Sequence, residues 1–385
     1  MKRIPYASQW IGEDDIETVV ATLKSPYLTQ GPLVDEFEKE IASYCESKYA
    51  VAVNSGTSAL HIACLAAGIV KDDEVITSPI TFVASSNSVL YCGGRPVFAD
   101  IKPDTINIDP KEIERKITNK TKAVIPVHFA GNPCNLEEIY NLAKSKGLMV
   151  IEDAAHALGA EYKGARVGAC KYSDMTILSF HPVKHITTGE GGMILTNSEE
   201  LYRKLLFRRS HGITRDTEYL TKNDGAWYYE MHALGYNYRI TDFQCALGVS
   251  QLKKADKFIS RRREIAQNYA KAFKSFSGIS TLTETPDAKS SYHLYVILVE
   301  DRKRVFDFMR NSMITVNVHY IPVYLQPYYR KLGYRPGLCP NAEQYYEQCL
   351  SLPMYPRLTD EEQNFVIQKV GAAQTSINLK GSTVK

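Results

Sequence analysis

The stretch Ala50-Val51-Ala52-Val53-Asn54-Ser55-Gly56-Thr57-Ser58, followed by the helix-like residues 59–68, decides the fold. It is a short apolar strand joined to a helix by a loop of small polar residues. The unit recurs, because apolar runs at 74–77, 95–100, 122–127 and 148–153 alternate with helix-like stretches such as 136–146. Strands separated by helices predict a mostly parallel sheet with helices on both faces, which is the α/β class.

The pattern changes in the second half of the chain. Two further strands are predicted at 175–180 and 193–196, on either side of a glycine-rich loop. A long basic helix is then expected at 250–273, followed by a strand at 292–299, a helix at 302–311 and a strand at 316–321. A length of 385 residues is typical of two domains. We therefore predict a large domain over 1–250 and a small α+β domain over 251–385.

Charge and hydropathy exclude several classes of protein. The 46 basic and 43 acidic side chains leave a net charge of +3, which is too small to predict binding to nucleic acid or to a membrane surface. No run approaches ~18 uninterrupted apolar residues, so no membrane span is expected. The first residues lack the pattern of a signal peptide, and we expect a cytoplasmic protein.

No metal site or disulfide framework is expected. The eight cysteines, at positions 45, 64, 92, 134, 170, 245, 339 and 349, form no Cys-x-x-Cys pair, and we interpret them as reduced. His181 and His185 are four residues apart, but Pro182 prevents a continuous helix and no third ligand is nearby.

Lys184 carries the strongest chemical signal. It lies between two apolar runs in Ser179-Phe180-His181-Pro182-Val183-Lys184-His185-Ile186, where burial lowers the pKa of an amine and makes it a nucleophile. Such a lysine suits a Schiff base. The alternative is a loop lysine without a role, so the interpretation depends on other parts of the chain.

Three other features support the chemical interpretation. The loop 54–58 can bind a phosphate at a helix N-terminus, although an ordinary helix cap has the same pattern. Asp153 lies at the end of an apolar strand. Its carboxylate could be the partner of a protonated ring nitrogen, or it could be an ordinary helix-capping residue. Phe82 can stack on a flat ring or pack in the core. Together with Lys184, these features match the phosphate, ring nitrogen, ring face and aldehyde of pyridoxal 5'-phosphate.

The sequence also resembles a known family, the DegT/DnrJ/EryC1/StrS sugar aminotransferases, over nearly the whole chain. The resemblance lies in the segments 27–32, 55–60, 152–156, 189–192 and 235–239. It implies the aspartate-aminotransferase-like fold of pyridoxal-phosphate enzymes (fold type I). Within the family, 179–184 and 318–320 most resemble the aminotransferases of pseudaminic acid biosynthesis.

The resemblance implies roles for individual residues. Lys184 would bind the cofactor covalently and move protons, Asp153 would keep its ring nitrogen protonated, and His156 would lie beside Asp153. The other cofactor contacts would be Phe82, Gly56, Thr57, Ser179 and Asn237, the last reaching the cofactor of a second subunit, so that a homodimer is required. The nucleotide-sugar side would be lined by Tyr6, Pro26, Tyr27, Leu28, Thr29, Gln30, Asn317, Val318, His319 and Tyr320.

The implied reaction is transfer of an amino group from L-glutamate to a UDP-linked 4-keto-6-deoxy-N-acetylhexosamine. The sugar would be UDP-2-acetamido-2,6-dideoxy-β-L-arabino-hex-4-ulose. Another nucleotide-linked keto sugar is an alternative. Further alternatives are a sugar dehydratase, in which histidine replaces the cofactor lysine, and a non-enzymatic regulator. His185, next to Lys184, leaves the dehydratase as an alternative. The presence of Lys184 and Asp153 argues against both the dehydratase and the regulator.

Arg261-Arg262-Arg263 is a charged run outside these motifs. It could be a patch for nucleic acid. Three adjacent arginines on a 3.6-residue period point in different directions, so we favour a solvated helix face or the rim of a dimer interface.

Overall fold

The computed structural model describes residues 3–381 of the chain. Residues 1, 2 and 382–385, which the domain prediction included, lie outside the described part. The helices are α1 Glu13–Leu23, α2 Pro32–Cys45, α3 Gly56–Ala66, α4 Ala84–Tyr91, α5 Pro110–Lys116, α6 Leu136–Ser145, α7 Glu199–Arg209, α8 Asp242–Leu252, α9 Ala255–Phe273, α10 Arg302–Asn311, α11 Pro327–Lys331, α12 Pro340–Gln348 and α13 Asp360–Gly381.

Most of the strands belong to two sheets. They are β1 Tyr49–Val53, β2 Glu74–Thr77, β3 Arg95–Phe98, β4 Thr121–Ile125, β5 Met149–Asp153, β6 Glu161–Tyr162, β7 Ala165–Arg166, β8 Met175–Ser179, β9 Gly192–Thr196, β10 Ile213–Thr214, β11 Glu230–Met231, β12 Ile279–Thr281, β13 Ala288–Lys289, β14 Tyr295–Val299 and β15 Cys349–Leu352. The predicted α/β class is confirmed.

The large sheet has the strand order β1-β9-β8-β5-β4-β2-β3. β9 runs antiparallel to both of its neighbours, and the other pairs are parallel. Its central strands are buried along nearly their whole length, as expected for a sheet covered on both faces. Apolar runs such as 148–153 become central strands because helices exclude water from both sides.

The carboxyl ends of the parallel strands meet at one edge of the large sheet. β5 ends at Asp153 and β8 ends at Ser179, and the two strands pair directly. β1 is antiparallel to β9, which is antiparallel to β8, so β1 points the same way and delivers the loop 54–58 to this edge. The strand directions therefore bring Asp153, Ser179 and the loop 54–58 to the same edge of the sheet.

The second sheet is antiparallel, with the order β12-β14-β15. Its core includes residues from α9, α10 and α13, among them Ile265, Val305 and Val366. The predicted helix at 250–273 is interrupted, because α8 ends at Leu252 and α9 begins at Ala255.

The predicted strand at 316–321 does not form. Asn317 pairs with Ser351 through an isolated bridge, and the pairing stops there. The carbonyl of His319 instead accepts a hydrogen bond from the Tyr345 hydroxyl (2.7 Å), so it is not available to a neighbouring strand. The predicted strand at 292–299 begins later, at Tyr295, because Tyr292 has a left-handed backbone (φ 48°).

The favoured interpretation of the arginine run is wrong for its middle member. Arg262 is 1% exposed and lies in the interior rather than on a solvated face. It occupies the side of α9 that faces the body of the protein, where three backbone carbonyls bind its guanidinium.

Candidate active site

A cavity of about 680 Å³ opens at the carboxyl edge of the large sheet. It brings together residues from both halves of the chain. The residues predicted from sequence that line it are Tyr6, Gly56, Thr57, Phe82, Asp153, His156, Ser179, Lys184, Asn317, Val318, His319 and Tyr320.

The N-terminus of α3 forms one end of this cavity. Ser55 caps the helix by accepting a hydrogen bond from the Ser58 amide (3.1 Å), and Ser58 donates to Asn54 Oδ1 (2.6 Å). A Cβ on Gly56 would meet the Ser179 Cβ at 3.0 Å, so glycine allows Ser179 to lie against the helix end. Amides, the helix dipole and a hydroxyl converge here, which suits a phosphate.

Asp153 is a buried carboxylate held by two donors. Its Oδ2 accepts from the Ser85 hydroxyl (2.6 Å), and its Oδ1 accepts from the Ala155 amide (3.1 Å). The Ser85 Oγ is also 2.7 Å from Thr81 Oγ1, and because the Ser85 proton goes to Asp153, Thr81 is the donor to Ser85. Sequence reasoning missed Ser85, whose one signal is its place shortly after Thr81 and Phe82.

Lys184 lies on the cavity wall with a perturbed amine. Burial lowers the pKa of Lys184 to about 8; the positive charge of Arg262 adds to this effect, and the negative charge of Asp153 opposes it. At neutral to mildly alkaline pH a substantial fraction of the amine is therefore unprotonated, and only that form is nucleophilic.

Two imidazole rings lie beside the lysine. His156 and His293 are 6% and 4% exposed, and their ring centroids are 4.2 Å apart. Burial, together with neighbouring positive charge, holds the pKa of both rings well below the ordinary value, so both are neutral. His156 Nε2 is 3.3 Å from the Tyr320 hydroxyl. Sequence reasoning missed His293, which follows no recognised motif.

His319 also lines the cavity, and hydrogen bonds fix the orientation of its ring. Its Nδ1 is 2.8 Å from Ser351 Oγ, and its Nε2 is 3.2 Å from Asn317 Nδ2. Since Asn317 Nδ2 can only donate, His319 Nε2 accepts and Nδ1 carries the proton. Burial and the charge of Lys184 lower the pKa of His319 to about 4, so the ring is neutral.

His185 points away from the cavity. It is 3% exposed, and its Nε2 lies 3.1 Å from the carbonyl oxygen of Ser291. Lys184 lines the cavity and His185 does not. The arrangement therefore opposes the dehydratase alternative, which needs a histidine in place of the lysine.

The structure does not bring two predicted groups to the cavity of their own chain. Pro26, Tyr27, Leu28, Thr29 and Gln30 lie elsewhere, because backbone contacts attach this segment to the start of α8 through Thr29 and Leu28. Tyr27 and Gln30 line a second cavity of about 450 Å³ with Arg209 and Arg239. Asn237 is exposed and bridges to Ser210.

Residues 3–381 contain no group of three or more His, Cys, Asp or Glu side chains placed to hold a metal ion. The same part of the chain has no helix that is long and apolar enough to cross a bilayer.

A helix N-terminus, a strand-end aspartate and a lysine of lowered pKa around one cavity define a pyridoxal-phosphate enzyme. The chain belongs to the DegT/DnrJ/EryC1/StrS aminotransferase family, whose sequence profile matches residues 9–371. The predicted family, enzyme class and cofactor are thereby confirmed, since this family depends on pyridoxal phosphate.

Named relatives agree with this assignment. The chain is 42% identical to the UDP-4-amino-4,6-dideoxy-N-acetyl-beta-L-altrosamine transaminase of Campylobacter jejuni, over 94% of this chain and 95% of the relative. Among solved structures, Helicobacter pylori PseC, an aminotransferase of pseudaminic acid biosynthesis, is 34% identical with a TM-score of 0.90, covering 97% and 100% of the two chains. The sugar aminotransferase Spr1654 of Streptococcus pneumoniae, in its PMP form, is 31% identical with a TM-score of 0.92, covering 99% and 100%. The expected fold type is therefore also confirmed.

Proposed function

We propose that the enzyme transfers an amino group from L-glutamate to the 4-keto group of UDP-2-acetamido-2,6-dideoxy-β-L-arabino-hex-4-ulose. The product is the 4-amino sugar of pseudaminic acid biosynthesis. The observation that carries the proposal is one cavity that is lined both by Lys184 and Asp153 and by Tyr6 and residues 317–320. The Campylobacter and Helicobacter relatives support the choice of sugar.

The cofactor side of the proposal assigns a task to each residue. Gly56, Thr57 and Ser179 bind the phosphate, and Phe82, which is 60% exposed, offers a free ring face for stacking. Asp153 Oδ holds a proton on the ring nitrogen. When bound, pyridoxal phosphate supplies an electron sink that stabilises negative charge on the carbon next to the amino group.

Lys184 provides the reactive nitrogen in this proposal. Its Nζ would hold the cofactor covalently and, once free, would accept and return the proton that moves during amino transfer. The rings of His156 and His293 are neutral, so they place no fixed charge of their own beside Nζ.

The substrate side is uncharged and polar. Tyr6, Asn317, His319 and Tyr320 offer hydroxyl, amide and imidazole groups to a sugar. With His319 held neutral, this wall selects by hydrogen bonding and shape. Another nucleotide-linked keto sugar remains the alternative substrate, since few side chains define the pocket.

The assembly is also part of the proposal. We propose a cytoplasmic homodimer, with each chain divided into domains 1–250 and 251–385, in which Asn237 and Pro26–Gln30 complete the partner's site. Its support is a set of exposed large apolar side chains near these residues, as is typical of an interface. They are Tyr27, Leu28, Ile213, Trp227, Tyr229, Met231 and Leu234.

The assay that tests the function uses purified enzyme loaded with pyridoxal phosphate. It is given L-glutamate and, in parallel reactions, the proposed keto sugar, its C5 epimer and a GDP-linked 4-keto sugar. We expect the proposed sugar to have the highest kcat/KM, with the new amino group at C4 by NMR. Lys184→Ala is the negative control. If the enzyme preferred another sugar, that sugar would take the place of the proposed substrate. If none of the three sugars gave a glutamate-dependent product, the proposal would be refuted.

A further inference from the structure

Arg262 is the buried member of the arginine run on α9. Its Nη1 lies within hydrogen-bonding distance of three backbone carbonyl oxygens, those of Tyr292 (3.3 Å), His293 (3.2 Å) and Met354 (3.0 Å). Burial lowers the pKa of Arg262 to about 10, so the guanidinium still carries its charge at physiological pH.

The charge of Arg262 has no anionic partner within the described side chains, residues 3–374. Its Nε is buried without a hydrogen bond. Arg261, next to it, forms ion pairs with Glu264 and Asp360 at the surface. A buried cation without a counter-ion is destabilising, and neutral donors could serve three carbonyls at a lower cost. Its retention here suggests that the charge itself has a use.

The carbonyls bound by Arg262 belong to segments that form the cavity wall. His293 lines the cavity and its ring contacts that of His156, with the ring centroids 4.2 Å apart. The amide of Met354 donates to the carbonyl of Tyr6 (2.9 Å), and Tyr6 lines the cavity as well. The guanidinium thus lies one layer behind the wall, on the side where His185 meets Ser291.

We propose that Arg262 is a positioning residue of the amino-transfer site, which fastens the His293 and Tyr6 segments to α9 and places a fixed positive charge behind Lys184. The charge favours the unprotonated amine that must attack the cofactor aldehyde. This inference depends on the proposed role of Lys184 but on no particular sugar.

Few charged groups affect the pKa of Lys184. Asp153 favours the protonated amine, and Arg262 favours the neutral one. The imidazoles around the lysine are neutral because burial lowers their pKa, and Tyr320 is neutral because burial raises its pKa. Burial is the largest cause of the lowered pKa of Lys184, and Arg262 is the cation that adds to it.

The test measures the pKa of Lys184 in the full chain after the cofactor is removed. Trace acetic anhydride labels lysines from about pH 6 to about pH 11, and mass spectrometry quantifies the peptide that contains Lys184. Arg262→Gln keeps amide donors for the carbonyls but removes the charge. Arg262→Lys keeps a cation, and Arg261→Gln is the matched control on the same helix.

We expect Lys184 to titrate near pH 8 in wild type and in Arg261→Gln, and at a pH about 0.5–1 higher in Arg262→Gln. Arg262→Lys should lie between them. The pH profile of pyridoxal-phosphate binding should move to higher pH in Arg262→Gln as well. An unchanged pKa in folded Arg262→Gln would overturn the proposal, as would equal shifts in the Gln and Lys variants, which would indicate a structural effect. Should the variants not fold, an ordinary lysine pKa in wild type would overturn it. None of these outcomes depends on the sugar assay.

Discussion

At the scale of single residues, the site depends on side chains that hold the reactive groups in place. Asp153 would interact with the cofactor, but its orientation is set by Ser85 and the Ala155 amide. A carboxylate with a donor on each oxygen cannot rotate freely. Its remaining lone pairs are therefore directed before any ligand arrives, and such preorganisation lowers the barrier for charge development.

Ser85→Ala tests this orientation. The variant loses a hydrogen bond to a buried charged group, which is worth about 1.5–3 kcal/mol, and we expect kcat to fall about 10- to 100-fold with a weaker affinity for pyridoxal phosphate. Steady-state kinetics and cofactor titration measure the two effects.

Two further serine variants make the result specific. Ser86→Ala is the matched control, because the Ser86 hydroxyl bonds the Tyr329 hydroxyl (2.7 Å) rather than Asp153. This variant should keep near-wild-type kcat. Ser85→Thr retains the hydroxyl and should recover most of the activity. Equal kcat values in Ser85→Ala and wild type would show that Asp153 needs no support from Ser85.

At the scale of elements, a buried acidic residue joins α1 to α8. Asp15 accepts a hydrogen bond from the amide of Gly12 at the start of α1 (2.8 Å), and it also accepts from Ser250 (2.6 Å), Gln251 (2.8 Å) and Lys254 (2.7 Å). Burial alone would raise the pKa of Asp15, but these donors outweigh it and the pKa is lowered. The contact matters for the site because the chain just before α1 carries Tyr6.

We expect Asp15→Asn to lower the free energy of unfolding by about 1–3 kcal/mol, since an amide cannot accept from all these donors. Urea denaturation measures the change, and Asp14→Asn, which alters an exposed neighbour of the same Lys254, should have little effect.

The pH dependence of this element has a definite sign. The folded-state pKa of Asp15 lies below its unfolded value, so its contribution is complete above the unfolded pKa and is lost as the pH falls through the folded one. The stability difference between wild type and Asp15→Asn should therefore shrink in acid. A difference that grew on acidification would contradict the assignment.

At the scale of the whole molecule, the proposed dimer would bring Asn237 to a site that its own chain does not supply. Lys184→Ala and Asn237→Ala should each be nearly inactive as pure proteins. Mixed in equal amounts and allowed to exchange subunits, half of the dimers combine the two variants, and each such dimer has one intact site. About one quarter of all sites should then be active.

Enzyme activity after mixing measures this complementation, and Lys184→Ala mixed with itself is the control. Failure of the mixture to regain activity, with subunit exchange verified by differently tagged chains, would mean that Asn237 acts within its own chain or not at all.

Local sequence signals were sufficient for much of the fold and site. The alternation of apolar runs and helices predicted the α/β sheet, because strand burial on two faces leaves continuous apolar stretches. Strand ends predicted Asp153, and the loop 54–58 predicted the open end of α3, because both depend on neighbours within a few residues. Lys184 was predicted from its apolar surroundings, and in the structure it lines the cavity, while its catalytic role stays a prediction.

The tertiary structure decided what depends on distant parts of the chain. Ser85 reaches Asp153 across 68 positions, His293 meets His156 from the second half of the chain, and Arg262 is buried because carbonyls from two remote segments surround it. No local pattern encodes such contacts, since they arise only when packing brings the segments together. The amino-acid sequence by itself determined the class of fold, the family resemblance and the choice of Lys184 as the candidate nucleophile. The tertiary structure decided which side chains surround that lysine and hold Asp153 in place, because burial and hydrogen-bond partners are set by packing.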